Sequence, residues 1–248
     1  MDNERLMVIF FYIIIFALFA SLSSKIGVIY ALSKEDISRK AIFPIISGVA
    51  LGIMLGIAFL FLLPFSIQSA KSQGAWSFIG LFIFLAIDRF LNRPVQLSED
   101  QDDKRPLIGA KILFCQGLIN ISYGVALSVG FSMGTMEGII LALGIILYQF
   151  PRSIHNMNQL KDYWNLRSAI IAAFLSPFII PIGAGFSLLF LYAPFFPFSF
   201  TAPAYGITVG LFVYLGISDM IRRSDPCPSG IAFGMAAVAV LLLKNFYF

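Results

Sequence analysis

Two short polar clusters interrupt long apolar runs in this chain. Asn120, Ser122 and Tyr123 form the first, and Tyr148, Gln149 and Arg152 the second. Polar side chains at membrane depth are costly and usually face a partner helix or a cavity, so these six residues are the candidate substrate path. Their chemistry is that of amides, hydroxyls and one guanidinium. Such groups bind a small polar solute through hydrogen bonds but supply neither a nucleophile–base pair nor a metal triad. His155 is the only histidine and falls at the end of its helix. The carboxylates lie in polar segments or near a membrane face; only Glu137 and Asp219 could look into a bundle, from its ends. With Met133 and Met136 near one face, this is a poor zinc or iron site by ligand type, and no metal ligands are assigned. The expectation is a protein that is not an enzyme and holds no cofactor.

The elements that must position these residues are two helices joined by a tight turn. LINISYGVALSVG (Leu118 to Gly130) and LALGIILYQFPRSIHN (Leu141 to Asn156) flank a connection bracketed by Gly130, Gly134 and Gly138. The rest of the chain is equally apolar: 59% hydrophobic, 15% aromatic and 12% charged. A water-facing surface on 248 residues needs more charge than this, so a soluble domain is excluded. The fold class is all-α, a polytopic integral membrane protein embedded in the lipid bilayer. The hydropathy pattern predicts one transmembrane domain over 1–248, with eight spans at about 6–32, 41–67, 75–91, 107–131, 136–157, 168–192, 204–221 and 230–246. The acidic residues in the lead MDNER and the length of the run that follows argue for a retained first span over a signal peptide.

Charge orients the bundle. Of 17 lysines and arginines, only Arg5, Lys71 and Lys244 fall on the side of the termini. The positive-inside rule therefore predicts both termini outside (periplasmic) and 92–106 as a cytoplasmic loop, in a plasma or inner membrane. The same asymmetry turns the basic excess, net +4, toward a membrane surface and away from nucleic acid. Gly48, Gly52 and Gly56 recur every fourth residue and read as a helix-packing face. Pro177 and Pro181 require a kinked or broken sixth span whose freed carbonyls neighbours must satisfy. Cys115 and Cys227 do not form a disulfide on this topology.

In that arrangement the chain resembles the ZIP (Zrt/Irt-like) family of divalent-metal transporters. GIAFLFLLPFS resembles the family's FLHLLPEA, with Phe61 and Phe65 at the His and Glu positions. LINISYGVALSVG resembles HNxPEGLAIG, placing Leu118, Ile119 and Ser122 where His, Asn and Glu stand. YQFPRS resembles the second HNxPEG segment; Tyr148 and Gln149 take the His and Asn places, Pro151 matches, and Arg152 replaces Glu. SPFIIPIGAG resembles SGLxEPIGA with Ile180 at the Glu position, and VYLGISDMIRR resembles YVxxxELIPE with Asp219 near the acidic one.

The resemblance implies an eight-helix ZIP-like bundle with the transport site between the fourth and fifth spans. It also implies that the usual ligand positions Phe61, Phe65, Leu118, Ile119 and Ile180 are replaced, a degenerate metal site. Arg152 could snorkel to the inner face or plug the pathway. Two functions follow: a divergent transporter of metal ions, zinc among them, or of another small solute; or a non-transporting membrane subunit, scaffold or regulator. A homodimer or a membrane partner fits either.

Overall fold

The protein is described by a computed structural model over residues 3–33, 42–64, 71–91, 105–192, 201–222 and 227–247. Phe65 and most of the 92–106 loop lie outside the described residues, and the Phe61 side chain is not described. Within them every residue is helical except Gly134, Trp164, Asn165 and Cys227. Such uniformity follows from the solvent: in hydrocarbon each backbone N–H and C=O needs a partner, and an α-helix supplies it within one segment.

The helices are α1 (Asn3–Ser33), α2 (Ile42–Gly56), α3 (Lys71–Leu91), α4 (Arg105–Met133), α5 (Thr135–Tyr163), α6 (Leu166–Leu175), α7 (Ile179–Tyr192), α8 (Thr201–Arg222) and α9 (Pro228–Tyr247). A π-helical stretch, Ile57–Leu62, extends α2, and a 3₁₀ turn, Ser176–Phe178, joins α6 to α7 as two halves of one rod. Among the described residues, four stretches are long and apolar enough to cross a bilayer: Met7–Ser33, Arg105–Met133, Thr135–Tyr163 and Leu166–Leu188. Four shorter apolar helices accompany them, Pro44–Leu60, Ala75–Ile87, Gly206–Ser218 and Pro228–Val240. Outward faces carry large apolar side chains, among them Phe11, Phe78, Phe82 and Phe233, each more than 60% exposed. That is a lipid-facing surface, and the chain is a helical integral membrane protein.

The rods pack in pairs. α1 lies against α5, α2 against α9, α3 against α8, and α4 against α7, with α4 and α5 side by side at the centre. Lipid gives no hydrophobic drive for helix association, so close backbone approach has to supply it. Each pair has a glycine for this purpose. Gly27 of α1 meets the α5 backbone at Phe150, and Gly80 and Gly210 bring α3 and α8 together. Gly124 and Gly183 interlock α4 with α7. Gly48, Gly52 and Gly56 line the face of α2 that abuts Cys227, just before α9, and Ile231 and Val238 on α9 itself, where Gly230 and Gly234 answer them.

The α4–α5 turn is short because only Gly134, in extended backbone (φ 170°), separates the two helices. Gly130 and Gly138 face one another there, and any side chain at Gly138 would collide with the Phe131 ring. At the other end of the pair, Trp164 Nε1 donates to the Pro106 carbonyl at 3.0 Å, and Lys161 Nζ donates to the Ala31 carbonyl at 3.0 Å. The second of these satisfies one of the open carbonyls that end α1. Asn165 caps α6 by accepting from the Ser168 N–H at 2.8 Å. The main core lies where α1, α2, α4, α5, α7 and α8 converge; a smaller apolar cluster of Val28, Ile154, Met157, Leu160, Ala169 and Ala173 closes the Trp164 end.

Candidate functional site

The proline break in the sixth rod gives the site its architecture. Pro181 has no N–H to offer the Pro177 carbonyl four residues earlier, and the 3₁₀ turn disturbs the ladder at Ser176. Two side chains from other helices fill the gap. Ser21 Oγ of α1 donates to the Pro177 carbonyl at 2.7 Å. Asn120 Nδ2 of α4 donates to the Ser176 carbonyl at 2.9 Å. Both carbonyls also share the Ile179 N–H within the tight turn, and the two side chains complete their hydrogen bonding in an apolar interior where a poorly satisfied carbonyl is costly.

Asn120 is joined in turn by Gln149 of α5, whose Nε2 donates to Asn120 Oδ1 at 3.3 Å. Both amides are buried, Gln149 at 3% exposure and Asn120 at 6%. The chain of hydrogen bonds therefore runs from α5 through α4 into the break between α6 and α7.

One turn nearer the Gly134 end, the site changes character. Tyr123 and Tyr148 are fully buried, their rings edge-on with centroids 6.5 Å apart. Phe212 of α8 meets Tyr123 at right angles, 6.4 Å away. Arg152 reaches into this group: its guanidinium carbon lies 5.6 Å from the Tyr123 centroid and 5.9 Å from that of Tyr148. Its Nη1 donates to the Tyr123 hydroxyl oxygen at 2.8 Å. The side chain points this way because Cβ vectors in a helix tilt toward its N-terminus, here the Gly134 end. An arginine at mid-membrane costs about 3 kcal/mol on insertion scales. A charge-assisted hydrogen bond contributes about 1.5–3 kcal/mol. Each ring face adds about 0.5–2 kcal/mol, enough together to hold the charge at depth.

The remaining residues singled out by sequence are dispersed around this layer. Ser122 turns back to its own helix, donating to the Leu118 carbonyl at 2.9 Å. Leu118 and Ile119 are half-buried, and Ile180 is fully buried in the main core. His155 is exposed. Among the described residues no three His, Cys, Asp or Glu side chains come together.

Several residues of the site carried little signal in sequence. Ser21 belongs to a Ser21–Ser23–Ser24 cluster inside an apolar run, which is a legible hint of interhelical bonding; Ser23 likewise donates to the Ile146 carbonyl of α5 at 2.7 Å. Phe212 is one of 27 phenylalanines, and nothing in its neighbourhood marks it. Lys25, on α1, lies 3.6 Å above the Phe178 ring in the proline break. Gln116 is buried one turn from Asn120, and its Nε2 has no hydrogen-bond partner.

No protein-family model matches the chain. Among curated proteins it is similar to one named zinc transporter ZIP13, from Pongo abelii, at 23% identity over 223 residues. The match covers 80% of this chain and 65% of the relative, so the chain spans about two-thirds of that protein's length.

Proposed function

We propose that this chain is a divergent ZIP-like membrane transporter that moves a metal ion or another small solute between α4 and α5. The observation that carries the reading is a polar layer midway along two apolar helices, in which Asn120, Gln149, Tyr123 and Tyr148 are buried and Arg152 is half-buried. A membrane protein bears the cost of such groups at depth chiefly where they serve a solute or an ion. The likeness to a protein named as a zinc transporter supports the same direction. No catalytic constellation accompanies the layer in the sequence, so the activity proposed is transport and not catalysis.

The layer consists of amides, phenols and a guanidinium, groups that handle a polar solute better than a bare divalent ion. The positions that resemble the family's ligand sites hold Leu118, Ile119, Ser122 and Ile180, and we read these as a metal site that has been replaced. The basic side of the bundle faces the cytoplasm on this reading, with both termini outside.

The second reading is a ZIP-like protein that no longer transports and acts as a membrane subunit or regulator. It is favoured by one observation: Asn120 and Gln149 spend their hydrogen bonds on each other and on the broken helix. Flux decides between them. Full-length protein in sealed vesicles is assayed with Zn²⁺, Fe²⁺, Mn²⁺ and Cd²⁺, alongside Tyr148→Ala, Gln149→Ala and Arg152→Glu. Saturable flux that falls in Tyr148→Ala or Gln149→Ala supports transport through the layer. A silent wild type with flux restored by Arg152→Glu supports the second reading, and silence throughout removes metals as the solute.

A further inference from the structure

Arg152 stands in surroundings that would suit a free cation. Two aromatic faces, Tyr123 and Tyr148, lie within 6 Å of its guanidinium carbon, and the Tyr123 hydroxyl oxygen accepts from Nη1 at 2.8 Å. Both tyrosines are closed off from solvent, and Phe212 braces the Tyr123 ring from α8. Such a cage favours broad, weakly hydrated cations, because the ring quadrupole attracts positive charge without replacing a tight hydration shell. A small divalent ion demands several oxygen, nitrogen or thiolate ligands, and neutral phenol oxygens with ring faces make a poor set for it.

The cage is also shared between helices of different pairs. Tyr123 belongs to α4, Tyr148 and Arg152 to α5, and Phe212 to α8, which packs against α3. A cation seated there bridges α4 and α5, and Phe212 of α8 meets it only through the Tyr123 ring. Arg152 is tethered to α5, so its charge occupies the site without leaving it.

We propose that the Tyr123–Tyr148 cage is a binding site for a guanidinium-class organic cation, and that the side chain of Arg152 is its built-in occupant. The tethered guanidinium closes the layer between α4 and α5, and removing it leaves a cavity that takes guanidinium from solution. The site is part of the path named under the proposed function and its closing role rests on that reading; its ability to bind a cation does not.

The test uses the full chain in detergent and in sealed vesicles, with guanidinium chloride at millimolar concentration as the probe and sodium chloride and urea as controls. Arg152→Ala removes the occupant, and Arg152→Met keeps the aliphatic stem should the alanine variant fold poorly. Guanidinium at roughly tenfold over its Kd is expected to raise the melting temperature of the variant by about 4 °C. Neither control should do so, and wild type should not respond. The combination Arg152→Met with Tyr123→Leu should lose the response. Vesicles containing the Arg152 variant are expected to pass guanidinium saturably while wild-type vesicles do not. A folded Arg152→Met protein that melts identically with guanidinium and with sodium overturns the proposal. Binding without flux retains the cage and removes the path, so the two readings fail separately.

Discussion

Asn120 on α4 donates through Nδ2 to the carbonyl of Ser176, 2.9 Å away across the break in the sixth rod, while its Oδ1 accepts from Gln149. One amide thus serves two helices at once. Its donor repairs a backbone that prolines interrupt, and its acceptor orients the neighbouring amide of α5. The residue that most resembles a solute ligand by type is, by geometry, a clamp.

That clamp makes a stability prediction. Asn120→Ala leaves Gln149 Nε2 to find a new partner and the Ser176 carbonyl with the shared Ile179 N–H, at a cost of about 1–3 kcal/mol. Ser21→Ala should cost less, because measured interhelical hydrogen bonds in membranes average about 0.6 kcal/mol. Both act on the same 3₁₀ turn, so the double variant should lose less than the sum of the two. Unfolding in mixed micelles measures all four corners of the cycle. Strict additivity would show that the two bonds do not share a structural element.

Two glycines on α7, only two residues apart, should behave oppositely. A Cβ at Gly183 would strike the Ile121 backbone of α4, and backbone cannot step aside as a side chain can. A Cβ at Gly185 meets nothing within 4 Å. Gly183→Ala is therefore expected to destabilise by about 1–3 kcal/mol as an overpacked contact. Gly185→Ala should be neutral or stabilise by up to about 1 kcal/mol, since alanine loses less backbone entropy in a helix. Equal melting temperatures for the two variants would contradict the α4–α7 contact.

The fold was legible because its physics is one-dimensional. Uncharged runs announce membrane helices, and Pro177 with Pro181 announces the broken one, since a missing N–H has the same effect in any surroundings. The site was legible only as a list of polar residues. Asn120, Tyr148 and Gln149 stand out against their apolar neighbours, but which group each would bond depends on how helices distant in sequence meet. Ser21 lies 156 positions from the carbonyl it satisfies. The direction of Arg152 was open for a related reason: a long side chain can reach toward either end of its helix, and the two tyrosine faces that hold it come from packing. Phe212 had no distinguishing signal, because a ring that braces another ring looks in sequence like any lipid-facing phenylalanine.

The aromatic layer separates two contributions of Tyr123. Tyr123→Phe keeps the ring face toward Arg152 and removes the hydroxyl that accepts its Nη1, whereas Tyr123→Leu removes both. The loss on Tyr123→Phe should be about 1.5–3 kcal/mol for a charge-assisted hydrogen bond. Tyr123→Leu should cost a further 0.5–2 kcal/mol or so for the lost ring face. Thermal unfolding in detergent orders the three proteins. If Tyr123→Phe is as stable as wild type, the Tyr123 hydroxyl contributes nothing to holding the charge.

Cys227 provides a chemical reporter at the start of α9. Its Sγ lies 3.1 Å from Ser229 Oγ, and that hydrogen bond, helped by the Gly230 backbone, draws the thiol below its ordinary value of 9.0. A lowered pKa means more thiolate at any pH beneath it, and the thiolate is the nucleophile. Alkylation of Cys227 should therefore begin at lower pH than that of a free cysteine, and Ser229→Ala should move the profile back upward. In a Cys115→Ala background the same residue reports orientation. With both termini outside, a membrane-impermeant maleimide should label Cys227 in inside-out vesicles and spare it in right-side-out ones. Labelling in the opposite preparation would invert the proposed topology and place the basic side of the bundle outside.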